Sequence, residues 1–168
     1  DGNPLKQGDG TKISNSADFT SLLPVGDKLF SVTHFEDNPA GMFLSELASD
    51  AEGNLTPVST KPLNFAGVGG LWLPCAGSVS PWNTHLGSEE YPDDARAFET
   101  AANMEDLAED AVAMAQYFGL QPSTMSVADF KAVYSPYNYG FVNEIAVDAA
   151  GEAAIAKRLV RARQLIRE

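Results

Sequence analysis

One cysteine, two histidines and 11 basic residues in a chain of 168 exclude several classes of protein before any motif is read. With Cys75 alone there is neither an internal disulfide framework nor a multi-thiolate zinc site. His34 and His85 are too few for a zinc centre built on histidine. The 11 Lys and Arg stand against 23 Asp and Glu, a net charge of −12. A nucleic-acid surface needs cations to displace condensed counterions, so DNA or RNA is not the main partner. No apolar run approaches the ~18–20 residues that span a bilayer, so no transmembrane segment is expected. Asp1-Gly2-Asn3-Pro4-Leu5 lacks the charged and apolar regions of a signal peptide. Neither a Gly-x-x-x-x-Gly-Lys-Ser/Thr loop nor a Gly-x-Ser-x-Gly elbow occurs. Gly67-Val68-Gly69-Gly70 precedes a strand-like run rather than a helix, which disfavours a phosphate cradle there.

The composition is that of a globular chain, 44% hydrophobic and 20% charged, and the length suits a single domain or a partial propeller over 1–168. Residues 12–91 are β-rich. Phe19–Leu23, Lys28–Thr33, Gly41–Leu47 and Gly70–Leu73 read as strands, separated by turns such as Pro24-Val25-Gly26-Asp27 and Asp50-Ala51-Glu52-Gly53-Asn54. A helical insertion is expected over 95–134. In it Met104, Leu107, Ala111, Met114 and Phe118 follow helical spacing up to Gly119 and Pro122. Ser126-Val127-Ala128-Asp129 reads as a capping box opening a further short helix. Strand alternation returns over 140–147. An amphipathic helix is expected over 150–167, with Ile155, Leu159, Ala162 and Ile166 as its apolar stripe and five basic residues beside it. The expected class is mainly β with a helical insertion, α+β overall. Its architecture is a partial β-propeller or another antiparallel sheet arrangement.

Chemistry is concentrated between Pro74 and Tyr91. A thiol (Cys75), the proline turn Ser80-Pro81-Trp82, an imidazole (His85) and the pair Glu89-Glu90 fall within one hairpin-length segment. On a strand the two carboxylates point to opposite faces, so one of them at most faces a given neighbour; if the strand ends there, both can approach one site. Carboxylate oxygens suit calcium and ferric iron, and a thiolate is a softer ligand that iron also accepts.

Cys75-Ala76-Gly77, Ser80-Pro81-Trp82, Thr84 and Glu89-Glu90 resemble, at the same spacing, the motif of the PhoX-type alkaline phosphatases. Asn15–Leu22, Thr33-His34-Phe35-Glu36 and Tyr139-Gly140-Phe141-Val142-Asn143-Glu144-Ile145 extend the likeness along the chain. The resemblance implies a β-propeller hydrolase of phosphate monoesters, periplasmic or extracellular, with a ferric iron and calcium cluster that binds the phosphate ester substrate. It passes the role of metal ligand to Cys75, Glu89, Glu90 and Glu144, and puts His34 and Glu36 near the site without a fixed role. It names no catalytic residue. Ser78, Asn83 and His85 depart from the family pattern, and Ala156–Arg163 lacks the family's later Gly-Arg-Phe-x-His-Glu. The chain is therefore expected to be a fragment or a shortened relative. The alternative is a non-catalytic β-rich binding or structural module of the same descent.

Overall fold

Turn residues set the first sheet. The computed structural model describes residues 16–161. Gly26 (φ 64) turns β1 (Ala17–Val25) back into β2 (Lys28–Phe35). Gly53 (φ 86) does the same between β3 (Gly41–Ser49) and β4 (Leu55–Pro62). There the Asp50 carboxylate accepts from the Glu52 and Asn54 amides at 3.0 and 2.8 Å, which shapes the loop. The second sheet comprises β5 (Pro74–Val79), β6 (His85–Glu89), β7 (Phe141–Val147) and β8 (Ala153–Arg161). Both sheets are antiparallel with strands in chain order, the meander that a propeller blade also uses. No helix among the described residues is long and apolar enough to cross a membrane.

Strand alternation gives each sheet an inward face. From the first sheet Leu23, Phe30, Val32, Met42 and Leu44 point into a core completed by Ile145 of β7 and by Phe65 and Leu71 of the connecting loop. A second core lies under the insertion between β6 and β7. It holds α1 (Ala95–Thr100), α2 (Glu109–Ala113) and α3 (Val127–Val133) against Trp72 and Tyr139. Phe130 stacks on Tyr134 with ring centroids 4.8 Å apart, and Phe98 meets Tyr134 edge-on at 5.2 Å. Ser126 caps α3 with the reciprocal Asp129 bond, as the sequence predicts.

Several expectations require correction. The C-terminal helix expected from 150 onward is a strand as far as it is described. The run Asp148–Gly151 is a tight turn in which Gly151 (φ 77) donates to the Asp148 carbonyl at 2.9 Å and Asp148 Oδ1 holds two later amides. Beyond it Ala153, Ile155 and Lys157 alternate inward against β7, so the edge of a waiting sheet overrides helical spacing. The remainder of that expected helix, 162–167, lies outside the described residues, as do 12–15 of the β-rich segment. Gly70–Leu73 is not a strand: Gly70 (φ 87) and Leu73 (φ 32) bend it into a loop that buries Leu71 and Trp72. The run 104–118 is broken rather than continuous. The Asp106 carboxylate accepts from the Ala102 and Asn103 amides at 3.0 and 2.9 Å, and Leu107 and Ala108 are extended before α2 begins. Its apolar face is nevertheless the one the spacing marks, with Leu107, Ala111 and Met114 all buried.

Candidate metal centre

The chain ends of two hairpins meet at one end of the sheets. Asp18 opens β1, Glu36 follows β2, Cys75 lies in β5 and Glu90 follows β6. The pairing of β1 with β2 shifts register between Ala17 and Thr20, and that of β5 with β6 shifts between Pro74 and Gly77. Asp18 and Cys75 therefore each sit in a bulge, a device that re-aims a side chain out of the regular ladder. One ligand atom from each of Asp18, Glu36 and Cys75 lies within 4.8 Å of the other two.

Glu90 stands beside the group, close enough for its carboxyl to interact with Glu36, Cys75 and Asp18. Burial, followed by the hydrogen bond and the charge of Glu36, raises the Glu90 carboxyl above its usual range. Burial, followed by Asp18 and the charges of Glu90 and Glu36, pushes the thiol up to about 12. Burial is the larger cause of each shift, and the neighbouring anionic groups add to it. His34 braces the cluster from within. Fully buried, it donates through Nε2 to the Cys75 carbonyl at 2.8 Å and lies 3.9 Å from Asp18 Oδ2.

Strand alternation separates the other two expected ligands from this group. Glu89 points to the opposite face from Glu90 and is completely buried. Its Oε1 accepts from the Trp72 amide at 3.1 Å and pairs with Lys157 Nζ at 3.0 Å. Its Oε2 accepts from the Gly140 and Phe141 amides at 2.9 and 3.1 Å. Glu144 accepts from Thr84 Oγ1 at 2.7 Å. It stands opposite Leu86, four residues along β6 from Glu90 and so roughly 13 Å away at ~3.3 Å per residue. The structure thus brings Cys75 and Glu90 together and leaves Glu89 and Glu144 elsewhere.

Sequence reasoning missed Asp18 and left Glu36 without a role. The available signal was the β1–β2 hairpin, whose turn at Gly26 places the start of β1 beside the end of β2. Two carboxylates and a thiol within 4.8 Å of one another, with the Glu90 carboxyl beside them, make a donor set that fits one cation of the iron or calcium type. Glu89 has both oxygens committed to other bonds and Glu144 accepts from Thr84, and neither extends it. No protein family, curated protein or solved structure matches the chain.

Proposed function

We propose that this chain is the metal-holding part of a phosphomonoester hydrolase, with the cation held by Asp18, Glu36, Cys75 and Glu90. The observation that carries this reading is the convergence of Cys75 and Glu90, the two ends of the resembling segment, with two further carboxylates from the other sheet. Held there by these four residues, iron or calcium would supply positive charge toward the ester's phosphate oxygens and the departing oxygen. The chain's own residues position it. The two bulges aim Asp18 and Cys75, and His34 fixes the Cys75 backbone through its carbonyl. Asp18 is the exposed member of the group, so an ester approaches from the β1 side. A chain of net charge −12 repels anions at long range, which leaves the attraction to the cation itself.

A second reading, a binding module that carries one cation without turnover, is favoured by the commitment of Glu89 to Lys157 and of Glu144 to Thr84. One test separates the two. Metal content and p-nitrophenyl phosphate turnover are measured with added calcium and ferrous salt, against a chelated sample, in the natural chain and in Cys75→Ser and Glu90→Gln. The hydrolase reading expects metal and turnover to fall together in both variants, with Glu105→Gln and Glu109→Gln on the insertion unchanged. A folded protein that loads metal but leaves the ester intact supports the module. Iron and calcium content unaffected by either site variant ends both readings.

A further inference from the structure

Six buried side-chain atoms have no hydrogen-bond partner among the described residues; two of them meet beside Gly87 and two more belong to the residue paired with it. The point where a Cβ on Gly87 would stand is 3.0 Å from His34 Nδ1, 3.2 Å from His85 Nε2 and 2.7 Å from the Met42 methyl carbon. Both nitrogens are unpartnered. Asn143, whose Oδ1 and Nδ2 are also unpartnered, is the residue directly opposite Gly87 across the β6–β7 ladder. His34, His85 and Asn143 are all completely buried. Buried polar atoms are rarely left without partners, and a cluster of them needs a cause.

The outer nitrogens of both rings are occupied. His34 Nε2 bonds the Cys75 carbonyl, which can only accept, so that nitrogen carries the proton and Nδ1 presents a bare lone pair inward. His85 Nδ1 bonds Ser21 Oγ at 2.8 Å, and with that nitrogen donating, Nε2 is bare as well. Burial, with the neighbouring His34 adding to it, holds His85 in its neutral form down to about pH 3. Imidazoles that bind metal characteristically donate the other ring N–H to a carbonyl, a carboxylate or water, and this pair has that arrangement before any ion arrives.

We propose that His34 Nδ1 and His85 Nε2 form a buried copper(I) site, flanked by the Met42 thioether and the Asn143 amide oxygen. The donor set selects the ion. Imidazole and thioether are borderline and soft, which suits copper(I) and not calcium. The four groups are uncharged, and the Asp18 carboxylate lies 3.9 Å from His34 Nε2, the ring nitrogen turned away from the site. Burying charge grows costlier with its magnitude, so a monovalent ion is preferred where none of the ligands is itself an anion. Phe19, with ring centroids 5.9 and 5.8 Å from those of His34 and His85, packs against both imidazoles from the β1 bulge. The site is separate from the Asp18–Cys75 cluster, shares only His34 with it, and does not depend on the hydrolase reading.

The test uses the Cys75→Ser chain, because a thiol also binds copper(I) while serine keeps the backbone carbonyl that orients His34. Copper(I) is supplied under anoxic conditions as its complex with bicinchoninate, whose colour reports what the protein withdraws. The expected result is one ion withdrawn per chain, lost in His34→Gln and His85→Gln and weakened in Met42→Leu. The ring 15N resonances of His34 Nδ1 and His85 Nε2 should move while the other two ring nitrogens stay protonated. Retention of all copper by the chelator overturns the proposal and leaves ordered water as the partner of these atoms. Withdrawal that persists in both histidine variants overturns it too. Should those variants fail to fold, the 15N titration of the Cys75→Ser chain decides alone, because shifts at the wrong nitrogens, or none, refute the site.

Discussion

Glu89 and Glu90 are adjacent and chemically identical, yet the pleat gives them different work. Glu90 stands among anions, and Glu90→Gln is expected to abolish cation binding with little loss of stability, read by calorimetric titration and urea unfolding. Glu89 is a buried anion with a buried cation, and Lys157 also lies 4.6 Å above the Tyr139 ring. Glu89→Ala leaves Lys157 uncompensated, which typically costs about 3–5 kcal/mol, so the urea midpoint should drop sharply. A second residue-scale prediction concerns acid. Folding lowers His85 from 6.5 to about 3, so between those values the unfolded chain binds the extra proton. Stability of the metal-free protein should therefore fall as pH drops below about 6.5 and stop changing, for this residue, below about 3. The slope is about 1.4 kcal/mol per pH unit within the window, measurable from urea midpoints across it. His85→Phe should flatten that part of the profile. How far the site was legible follows from the same residues. The Cys75 to Glu90 spacing was visible, but period-two alternation left open whether one glutamate or both would join, and both were expected as ligands. That Asp18 completes the group depends on the β1 bulge, which carries no glycine to mark it.

At the level of elements, the bulge in β5 works only because residue 77 is glycine. A Cβ there would run into the Phe19 ring, which belongs to the bulge of β1. Gly77→Ala should cost about 1–3 kcal/mol through overpacking and also weaken cation binding, because separating β1 from β5 separates Asp18 from Cys75. Stability lost without any change in affinity would detach the bulges from the site. The strands with two-faced alternation and glycine turns, β1, β2, β3 and β7, were readable as such. β4 was not: all eight of its residues are exposed and it carries Pro57 and Pro62, so it has no apolar face to announce it. β8 was misread because Ile155, Leu159, Ala162 and Ile166 satisfy a helical period, and only the partner strand β7 decides between the two periods.

Across the whole molecule, two cores share one stitch. Trp72 belongs to the aromatic core under the insertion, and its neighbour Leu71 belongs to the core between the sheets. The two are therefore expected to unfold together. Trp82 is 80% exposed, so in Trp82→Phe the remaining indole reports on the interior alone. Its emission should move to the red at the same urea concentration at which far-ultraviolet dichroism is lost, whereas separated midpoints would mean that the insertion melts by itself. The Glu89 carboxylate adds a consequence of its own. The Trp72 amide is distant in the chain from the adjacent amides of Gly140 and Phe141, yet all three dock on the same carboxylate. Their protection against deuterium should accordingly behave as a single quantity, all three amides being released by one opening event and resealed by one closing.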